Sequence, residues 1–287
     1  MHQPVLKNEV LEFLQPEPGK NFIDGTFGFG GHALEILKRI KPDGRVLGIE
    51  RDEEVLKKQP SVQGLILKRG NFSNLKEIVQ EEKFSPVDGV LLDLGLSSWQ
   101  IGESGKGFSF LKEEPLIMRV DSEGITAQEI VNSWPEQKLE KILKEYGEER
   151  YARRIAQSIC QKRKLERIKT TSQLVKIIRQ AVPAGYGRRR INPATKTFQA
   201  LRIVVNDELG NLEKVLPQAL KILNTKGRLA IIAFHSLEDR IVKNYFRQEA
   251  KQGQLEILTK KPIRPSLEEV RTNPRSRSAK LRVALKL

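Results

Sequence analysis

The sequence predicts an α/β fold: a mostly parallel, Rossmann-like sheet with an antiparallel C-terminal strand and an inserted all-helical subdomain. Three observations support this prediction. Short apolar runs alternate with helix-like segments in the first part of the chain, a long central stretch holds only helical patterns, and the C-terminal residues alternate between apolar and polar side chains. Alternating strands and helices are typical of βαβ units, whose strands pair in parallel.

Short apolar runs predict buried strands at residues 21–24, 45–50, 65–69, 87–92 and 228–234. Helix-like segments separate the first four runs, which favours parallel pairing. Two more strands are predicted at residues 255–259 and 279–287. In the last one, apolar residues alternate with Arg282 and Lys286, so we expect one solvated face, as in an antiparallel strand added at the side of a sheet.

The inserted subdomain is predicted from the stretch between the fourth and fifth strands. A parallel crossover needs only about 10–12 residues, and this stretch is many times longer. Its helical patterns lie at residues 135–146, 148–164 and 171–181, and a long one runs from residue 194 until Pro217 ends or restarts it. We therefore predict a sheet domain of residues 1–110 and 196–287, and an inserted helical domain of residues 111–195.

Positive charge is concentrated in two segments of the 287-residue chain. The chain carries 51 basic and 36 acidic residues, a net charge of +15, but residues 151–190 hold 12 Lys and Arg with one acid, and residues 260–287 hold 9 with two acids. One such cluster is usually a solvated helix face. Two on an otherwise nearly neutral chain favour a polyanion such as nucleic acid.

Cysteine and histidine usage narrows the class of protein further. The single cysteine excludes an internal disulfide and a cysteine-rich zinc site, which fits a cytoplasmic protein. The three histidines and this cysteine lack metal-ligand spacing, so we predict no catalytic metal. No apolar run approaches the roughly 20 residues of a membrane helix.

A glycine turn predicts a nucleotide-cofactor site. The stretch GFGGHA, residues 28–33, fits the pattern G-x-G-x-x-A after a strand and before a helix, and Glu50 ends the next strand. Glycines let backbone approach a ligand, and the acid can accept hydrogen bonds from ribose hydroxyls. A tight turn without a ligand is the alternative. Two ligands fit the pattern, a nicotinamide dinucleotide and S-adenosylmethionine.

Asp93 discriminates between these two ligands. It stands at the carboxyl end of the fourth predicted strand, where α/β sheets bind ligands. A carboxylate has no evident role beside a nicotinamide, but beside an exocyclic amine that awaits a methyl group it can accept the amine's hydrogens. The sequence therefore favours a methyltransferase over a nicotinamide-dependent oxidoreductase.

The chain resembles a known family, the bacterial enzymes that methylate the exocyclic N4 amine of a cytidine in 16S ribosomal RNA with S-adenosylmethionine. The resemblance is carried in order along the chain by DGTFGFGGH (24–32), VDGVLLDLGLSS (87–98), GFSF (107–110), YGEERYARRIA (146–156), PATKTFQALRIVVNDEL (193–209), FHSLEDRIVK (234–243) and NPRSRSAKLRVA (273–284). It implies a class I methyltransferase sheet with an inserted helical RNA-recognition domain. It also implies cofactor contacts at Gly30, Gly31, His32, Glu50, Phe72, Asp93 and Gln100.

The residue chemistry agrees with most of these contacts. Glu50 can bind the ribose diol, and Phe72 can lie against adenine or belong to the core. His32 could equally occupy the first turn of a helix. The chain departs from the family pattern at Ile117, where an acid is usual, at Trp99, where proline is usual, and at Glu50, where aspartate is usual.

Asp93 and His235 are the predicted catalytic residues. Asp93 would accept hydrogens from the amine, and His235, at the end of a strand on the same rim, would help to place the base. The adjacent Ser236 and Asp239 form an S-x-x-D pattern that predicts a helix N-cap. Trp99, Phe108 and Phe110 lie near Asp93 in sequence and are candidate platforms for the target base; the alternative is that Phe108 and Phe110 pack beneath a loop.

RNA binding is predicted in two basic stretches, GYGRRRINPATK (185–196) and NPRSRSAKLR (273–282). The candidate phosphate contacts are Arg188, Arg189, Arg190, Lys196, Arg275 and Arg277. The expected partner is 16S rRNA or the small ribosomal subunit. A non-enzymatic RNA-binding assembly factor is the alternative function, and the sequence leaves open whether the protein forms a homodimer.

Overall fold

The computed structural model describes residues 4–59, 61–187 and 192–287, and it divides the chain into two compact units. One unit, called the sheet unit, contains Met1–Gly95 and Leu209–Leu287. The other, called the helical unit, contains Leu96–Glu208. Residues 96–110 and 196–208, which the sequence places in the sheet domain, belong to the helical unit. The reason is apolar packing, since Phe108, Phe198 and Leu201 are part of its core.

The sheet unit is built on a seven-stranded sheet in the order β3-β2-β1-β4-β5-β7-β6. Its strands are β1 (Phe22–Asp24), β2 (Val46–Glu50), β3 (Leu65–Arg69), β4 (Gly89–Asp93), β5 (Arg228–Ala233), β6 (Leu255–Ile257) and β7 (Lys280–Lys286). The first five are parallel, β7 is antiparallel to β5, and β6 is antiparallel to β7. The predicted mostly parallel α/β sheet with an antiparallel C-terminal strand is confirmed.

The helices are numbered along the chain: α1 (Lys7–Leu14), α2 (Gly31–Ile40), α3 (Glu53–Leu56), α4 (Leu75–Glu81), α5 (Ser98–Gly102), α6 (Ala127–Ser133), α7 (Glu136–Glu145), α8 (Ala152–Leu165), α9 (Thr171–Ala181), α10 (Ala194–Asn206), α11 (Glu208–Ile222), α12 (Ser236–Lys251) and α13 (Leu267–Thr272). Among the described residues, none of the helices has both the length and the apolar composition of a membrane span.

Helices cover both faces of the sheet. Apolar residues of α4, α11 and α12 pack on one face, and those of α1 and α2 pack on the other. Successive strand side chains point to opposite faces, so Leu91 joins one core while Val90 and Leu92 join the other. This explains why the parallel strands are continuous apolar runs rather than alternating ones.

The strand β7 differs from the prediction, because its polar face is covered. Arg282 is buried, and its Nε donates to Oδ1 of Asp239 on α12 at 2.6 Å, while Lys280 Nζ donates to Oδ2 at 3.2 Å. A buried cation requires such a partner. The predicted solvated face is therefore wrong, since α12 supplies a carboxylate that the local alternation could not reveal.

The long helical pattern from residue 194 is two helices rather than one. Asp207 adopts a left-handed conformation, with φ +48°, and its backbone N–H bonds to the carbonyl of Ile203, which ends α10. The expected break at Pro217 is wrong, because Pro217 lies inside α11. The apolar spacing continues through both helices, so it could not show where the backbone turns.

The core of the helical unit is formed by α6 to α10 and by a loop at residues 116–120. Asn206 at the end of α10 fixes this loop: its Nδ2 donates to the carbonyl of Met118 at 2.8 Å, and its Oδ1 accepts from Val120 N at 3.0 Å. Met118 is fully buried with φ +52°. Ile117, where the family usually has an acid, lies half-buried in this loop, and its carbonyl accepts from Ala127 N at the start of α6.

Candidate active site

Three acidic side chains end neighbouring parallel strands at one edge of the sheet. Asp24 ends β1, Glu50 ends β2 and Asp93 ends β4. Because the carboxyl ends of parallel strands share an edge, this rim is where an α/β sheet holds a ligand. Of the predicted residues, Gly30 ends the turn that follows β1, and Gly31 and His32 begin α2. The sheet thus gathers most of the predicted cofactor residues on one rim.

The glycine turn has a structural requirement of its own. Gly30 is the N-cap of α2 with φ +76°, and a Cβ there would lie 2.7 Å from Cζ of Phe27. A Cβ on Gly31 would lie 2.8 Å from Cγ of Pro4. Side chains are therefore excluded at both positions by the protein's own packing. The turn also leaves the first N–H groups of α2 without helical partners, as at the start of any helix.

Glu50 fastens the glycine turn to the end of β2. Its Oε2 accepts from the backbone N–H of Gly28 at 2.8 Å, and its Oε1 accepts from that of Asp52 at 2.8 Å. Burial raises the pKa of Glu50, and these two hydrogen bonds oppose the shift. Each carboxylate oxygen has a second lone pair, so Glu50 can hold the turn and still accept from hydroxyl groups of a ligand.

Asp93 has a buried acceptor atom. Its side chain is 22% exposed, its Oδ2 lies 3.8 Å from Nε2 of the buried His32, and its Oδ1 is buried. Within the residues that the structure describes, no hydrogen bond reaches that Oδ1. An unsatisfied buried oxygen is costly, so this atom fits a partner that arrives with a ligand.

Negative charge accumulates around Asp93. The pKa of Asp93 is raised to about 8, mainly by burial and also by the nearby carboxylates of Asp24 and Glu238, while the Gly95 N–H opposes the shift. Burial likewise raises the pKa of Asp24 to about 7. A cation bound at this rim would favour the ionised acids. These carboxylates therefore fit a positively charged group such as the sulfonium of S-adenosylmethionine.

Thr26 connects two of these acids and was missed by the sequence analysis. Its Oγ1 accepts from the backbone N–H of Asp93 at 2.6 Å and lies 3.4 Å from Oδ1 of Asp24, to which it donates. Its own N–H also bonds to Asp24 Oδ1, at 3.1 Å. The hydroxyl thus holds the end of β4 against the turn after β1. The only sequence signal was a threonine two residues after a strand-ending aspartate.

His235 caps α12. Its Nδ1 accepts from the backbone N–H of Glu238 at 3.3 Å, and its Nε2 lies 3.2 Å from Oε1 of the same residue. The Glu238 carboxylate in turn accepts from the N–H groups of Phe234 and His235. This reciprocal arrangement is a capping box. The predicted cap at Ser236 is wrong by one position, and both nitrogens of the buried His235 ring face Glu238.

Other predicted residues lie in less defined settings. Phe72 is partly buried against the core on one face of the sheet, so the core interpretation accounts for part of its ring. In the helical unit, Gln100 is buried and its Oε1 accepts from Ser97 N at 2.9 Å, which caps α5. Phe108 belongs to the core of that unit, and the partly buried Phe110 packs against it, edge-on to Phe198.

The predicted RNA contacts are divided among different parts of the chain. Arg188, Arg189 and Arg190 lie outside the described residues. Lys196 donates from Nζ to the carbonyl of Glu148 at 2.7 Å in the helical unit. Arg275 and Arg277 are exposed on a short 3₁₀ helix of the sheet unit, where phosphates can reach them.

Comparisons with known proteins match this architecture over the full chain. A family model described as the MraW methylase family matches residues 1–287. A Heliobacterium mobile protein named ribosomal RNA small subunit methyltransferase H is 46% identical over 308 residues, which is 100% of this chain and 99% of the relative. A Persephonella marina protein of the same name is 46% identical over 292 residues, with the same coverage.

Among solved structures, an rRNA methylase from Streptococcus thermophilus aligns with a TM-score of 0.45 and 11% identity, over 100% of this chain and 99% of the other. The family model and the curated relatives both extend over the whole chain. The protein therefore belongs to the MraW methylase family, a family of methyltransferases that depend on S-adenosylmethionine.

Proposed function

We propose that this protein methylates the exocyclic N4 amine of a cytidine in 16S ribosomal RNA of the small subunit. The observation that carries the proposal is Asp93, a carboxylate at the carboxyl end of β4 with a buried oxygen to which no described residue donates a hydrogen bond. Relatives at 46% identity are named as methyltransferases of small-subunit ribosomal RNA, which supports the substrate class. With that substrate, the protein is expected in the cytoplasm.

Methyl transfer to the amine requires that the amine nitrogen, the methyl carbon and the sulfur lie in line, and that a nearby group accept a proton. S-adenosylmethionine supplies a methyl group already activated by its positive sulfur. The cytosine amine is a weak nucleophile because its lone pair is delocalised into the ring, and it must lose one proton when the new C–N bond forms. Asp93 is placed to accept hydrogen bonds from that amine and then to take the proton. Only its ionised form can do so.

The other residues of the rim hold this arrangement in place. Glu50 would accept from the ribose hydroxyls, and His32 would lie beside Asp93. His235 and Glu238 order the start of α12 next to the end of β5. The target base must be reached outside its stack, and Arg275 and Arg277 are candidate contacts to the phosphates around it.

Mapping of methylated nucleosides tests the proposal. Small-subunit rRNA from a strain that lacks the protein should lose one N4-methylated cytidine, and adding back the protein with S-adenosylmethionine should restore it. An Asp93→Asn variant should bind the RNA without restoring the mark, which distinguishes an enzyme from an assembly factor. An rRNA whose modifications are the same with and without the protein would refute the proposal.

Thr26→Val should disturb the position of Asp93 without removing any group that contacts the substrate. Valine has nearly the same shape but no hydroxyl, so the Asp93 N–H and Asp24 each lose a hydrogen bond. We expect kcat to fall about tenfold. Loss of the hydroxyl makes Asp24 harder to ionise, because its carboxylate loses a hydrogen bond. A neutral Asp24 raises the pKa of Asp93 less than a charged one does, so the acid limb of the kcat profile should move to lower pH. Initial-rate kinetics across pH measure both effects.

Thr26→Ser is the matched control, because it keeps the hydroxyl and loses only a methyl group. It should keep the wild-type pH profile and most of kcat. If valine lowered only the amount of folded protein, with an unchanged pH profile for the folded fraction, Thr26 would be structural and the assignment as a positioning residue would be wrong.

A further inference from the structure

A basic groove lies beside the C-terminal half of α12, against the edge strand β6 of the sheet unit. We call it the α12 groove. Its volume is about 570 Å³, and it is lined by Lys243, Phe246, Arg247, Leu255, Ile257 and Lys260, among others. A second depression of about 480 Å³ adjoins it and shares Arg247; Asn244, Gln248, Lys251 and Gln252 complete its lining. Together they form one continuous strip along the helix.

The cations of this strip are arranged on one helix face. Lys243, Arg247 and Lys251 follow one another at four-residue spacing in α12, so they are neighbours on its surface. Like charges at this spacing repel one another and destabilise a helix. Four residues rise about 6 Å along a helix, which is comparable to the spacing of successive phosphates along an extended strand.

The cations of the strip have no carboxylate partner among the residues that the structure describes. Over the described residues, Lys243, Arg247, Lys251 and Lys260 make no ion pair, although Glu249 and Glu256 lie on the same elements. By contrast, the exposed Lys38 and Arg39 on α2 are paired with Glu35. Glu256 is the one acid in the lining of the two depressions, so the strip carries an excess of positive charge.

The lining also offers contacts other than charge. The half-buried Ile257 and the exposed Leu287 supply an apolar floor, above the almost fully buried Phe246 and Leu255. The adjoining depression has three side-chain amides, which can donate to phosphate or ribose oxygens. An apolar floor bordered by cations and amide donors suits a single-stranded nucleic acid, whose bases have flat apolar faces and whose backbone is anionic.

We propose that the α12 groove binds a single-stranded segment of the RNA substrate at a distance from the methylated base. The proposal rests on the proposed function, which supplies an RNA as substrate. Arg247 and Lys251 lie 12 and 16 residues beyond His235, which corresponds to about 18 and 24 Å along the helix axis. The groove is therefore a second anchor for the RNA rather than part of the catalytic rim.

A charge-removing double variant, Arg247→Gln with Lys251→Gln, tests the anchor. Both positions are exposed, so the fold should be kept. The matched control is Lys38→Gln with Arg39→Gln, which removes two exposed but paired cations from α2. Binding of unmethylated 16S rRNA and of small subunits is measured across salt concentrations, and methyl transfer is measured at saturating RNA.

The groove variant should bind naked rRNA about tenfold more weakly at low salt, and its log–log salt slope should fall by about 1.4, as expected for two lost single-strand phosphate contacts. Its kcat at saturating RNA should remain that of the wild type, and the control should bind within about twofold of the wild type.

Equal affinity and slope for the groove variant and the control would overturn the proposal. So would a loss confined to assembled subunits, since that would point to a ribosomal protein as the occupant. Failure of the proposed function has a different signature, because the wild-type protein itself would then transfer no methyl group to the rRNA.

Discussion

Asp93→Asn should reduce kcat by at least about 100-fold, because removing a general base typically costs 10²–10⁴ in rate. Asparagine keeps the size of the side chain but cannot take a proton from the amine. Binding of S-adenosylmethionine should weaken less than turnover, since Glu50 and the glycine turn are intact. Single-turnover transfer of a labelled methyl group to 16S rRNA measures the loss.

The same substitution should stabilise the ligand-free protein at high pH. The pKa of Asp93 is raised from its ordinary value of 3.8 to about 8 in the folded protein, so the folded state binds more protons than the unfolded state between these values. Stability from this group is therefore greatest below pH 4 and is lost as the pH rises through 8. Asparagine stays neutral, so the free energy of unfolding of the variant should gain on that of the wild type by up to about 5 kcal/mol between pH 4 and pH 8.

Turnover should depend on the ionisation of Asp93 in the opposite direction from stability: it should rise, rather than fall, as the carboxyl loses its proton. The acceptor must be ionised, so kcat/KM for the cofactor should rise with pH through about 8, the pKa of Asp93 in the free protein. The positive charge of bound S-adenosylmethionine favours the ionised carboxylate, so the acid limb of the kcat profile should lie at lower pH than that of kcat/KM. Near wild-type turnover by Asp93→Asn, with normal cofactor binding, would show that another group accepts the proton.

Glu50→Gln should weaken S-adenosylmethionine binding about 10- to 100-fold, the cost of losing one charged hydrogen-bond acceptor. The carboxylate accepts from Gly28 N and Asp52 N, and the glutamine NH₂ would oppose one of these N–H groups. The variant therefore loses a ligand contact and loosens the glycine turn. Isothermal titration with S-adenosylmethionine measures the affinity.

Glu50→Asp is the informative comparison, because aspartate keeps the charge on a shorter arm and is the residue that the resembled family usually has here. It should bind the cofactor more tightly than the glutamine variant does. If glutamine bound as tightly as the wild type, Glu50 would serve only to hold the turn, and its role toward ribose would be wrong.

The residues of the rim could be predicted from sequence because they are tied to local signals. Asp93 and Glu50 each end an apolar run, and the glycines follow another, so a parallel sheet brings all of them to one edge. The hydrogen bonds between these residues could not be predicted from local signals. Thr26 and Asp93 are 67 positions apart, and no local pattern indicates that a hydroxyl in one turn will accept from the backbone of the other.

The capping of α12 shows a second kind of limit. The motif S-x-x-D at Ser236 and Asp239 satisfied the local rule, yet His235 and Glu238 form the cap. Asp239 instead neutralises Lys280 and Arg282 on β7, 41 and 43 positions away. A buried arginine requires a carboxylate, and this requirement arises only when the helix packs on the strand.

By itself, the sequence determined the sequential order of strands and helices, the parallel sheet with its antiparallel C-terminal strand, and the identity of the acids at the strand ends. These features follow from apolar periodicity and turn residues, which act over a few positions. The tertiary structure alone decided the break at Asp207, the covered face of β7, and the shared negative charge of Asp24, Asp93 and Glu238. Burial and charge coupling depend on which distant side chains are brought together, and that is a property of the folded chain.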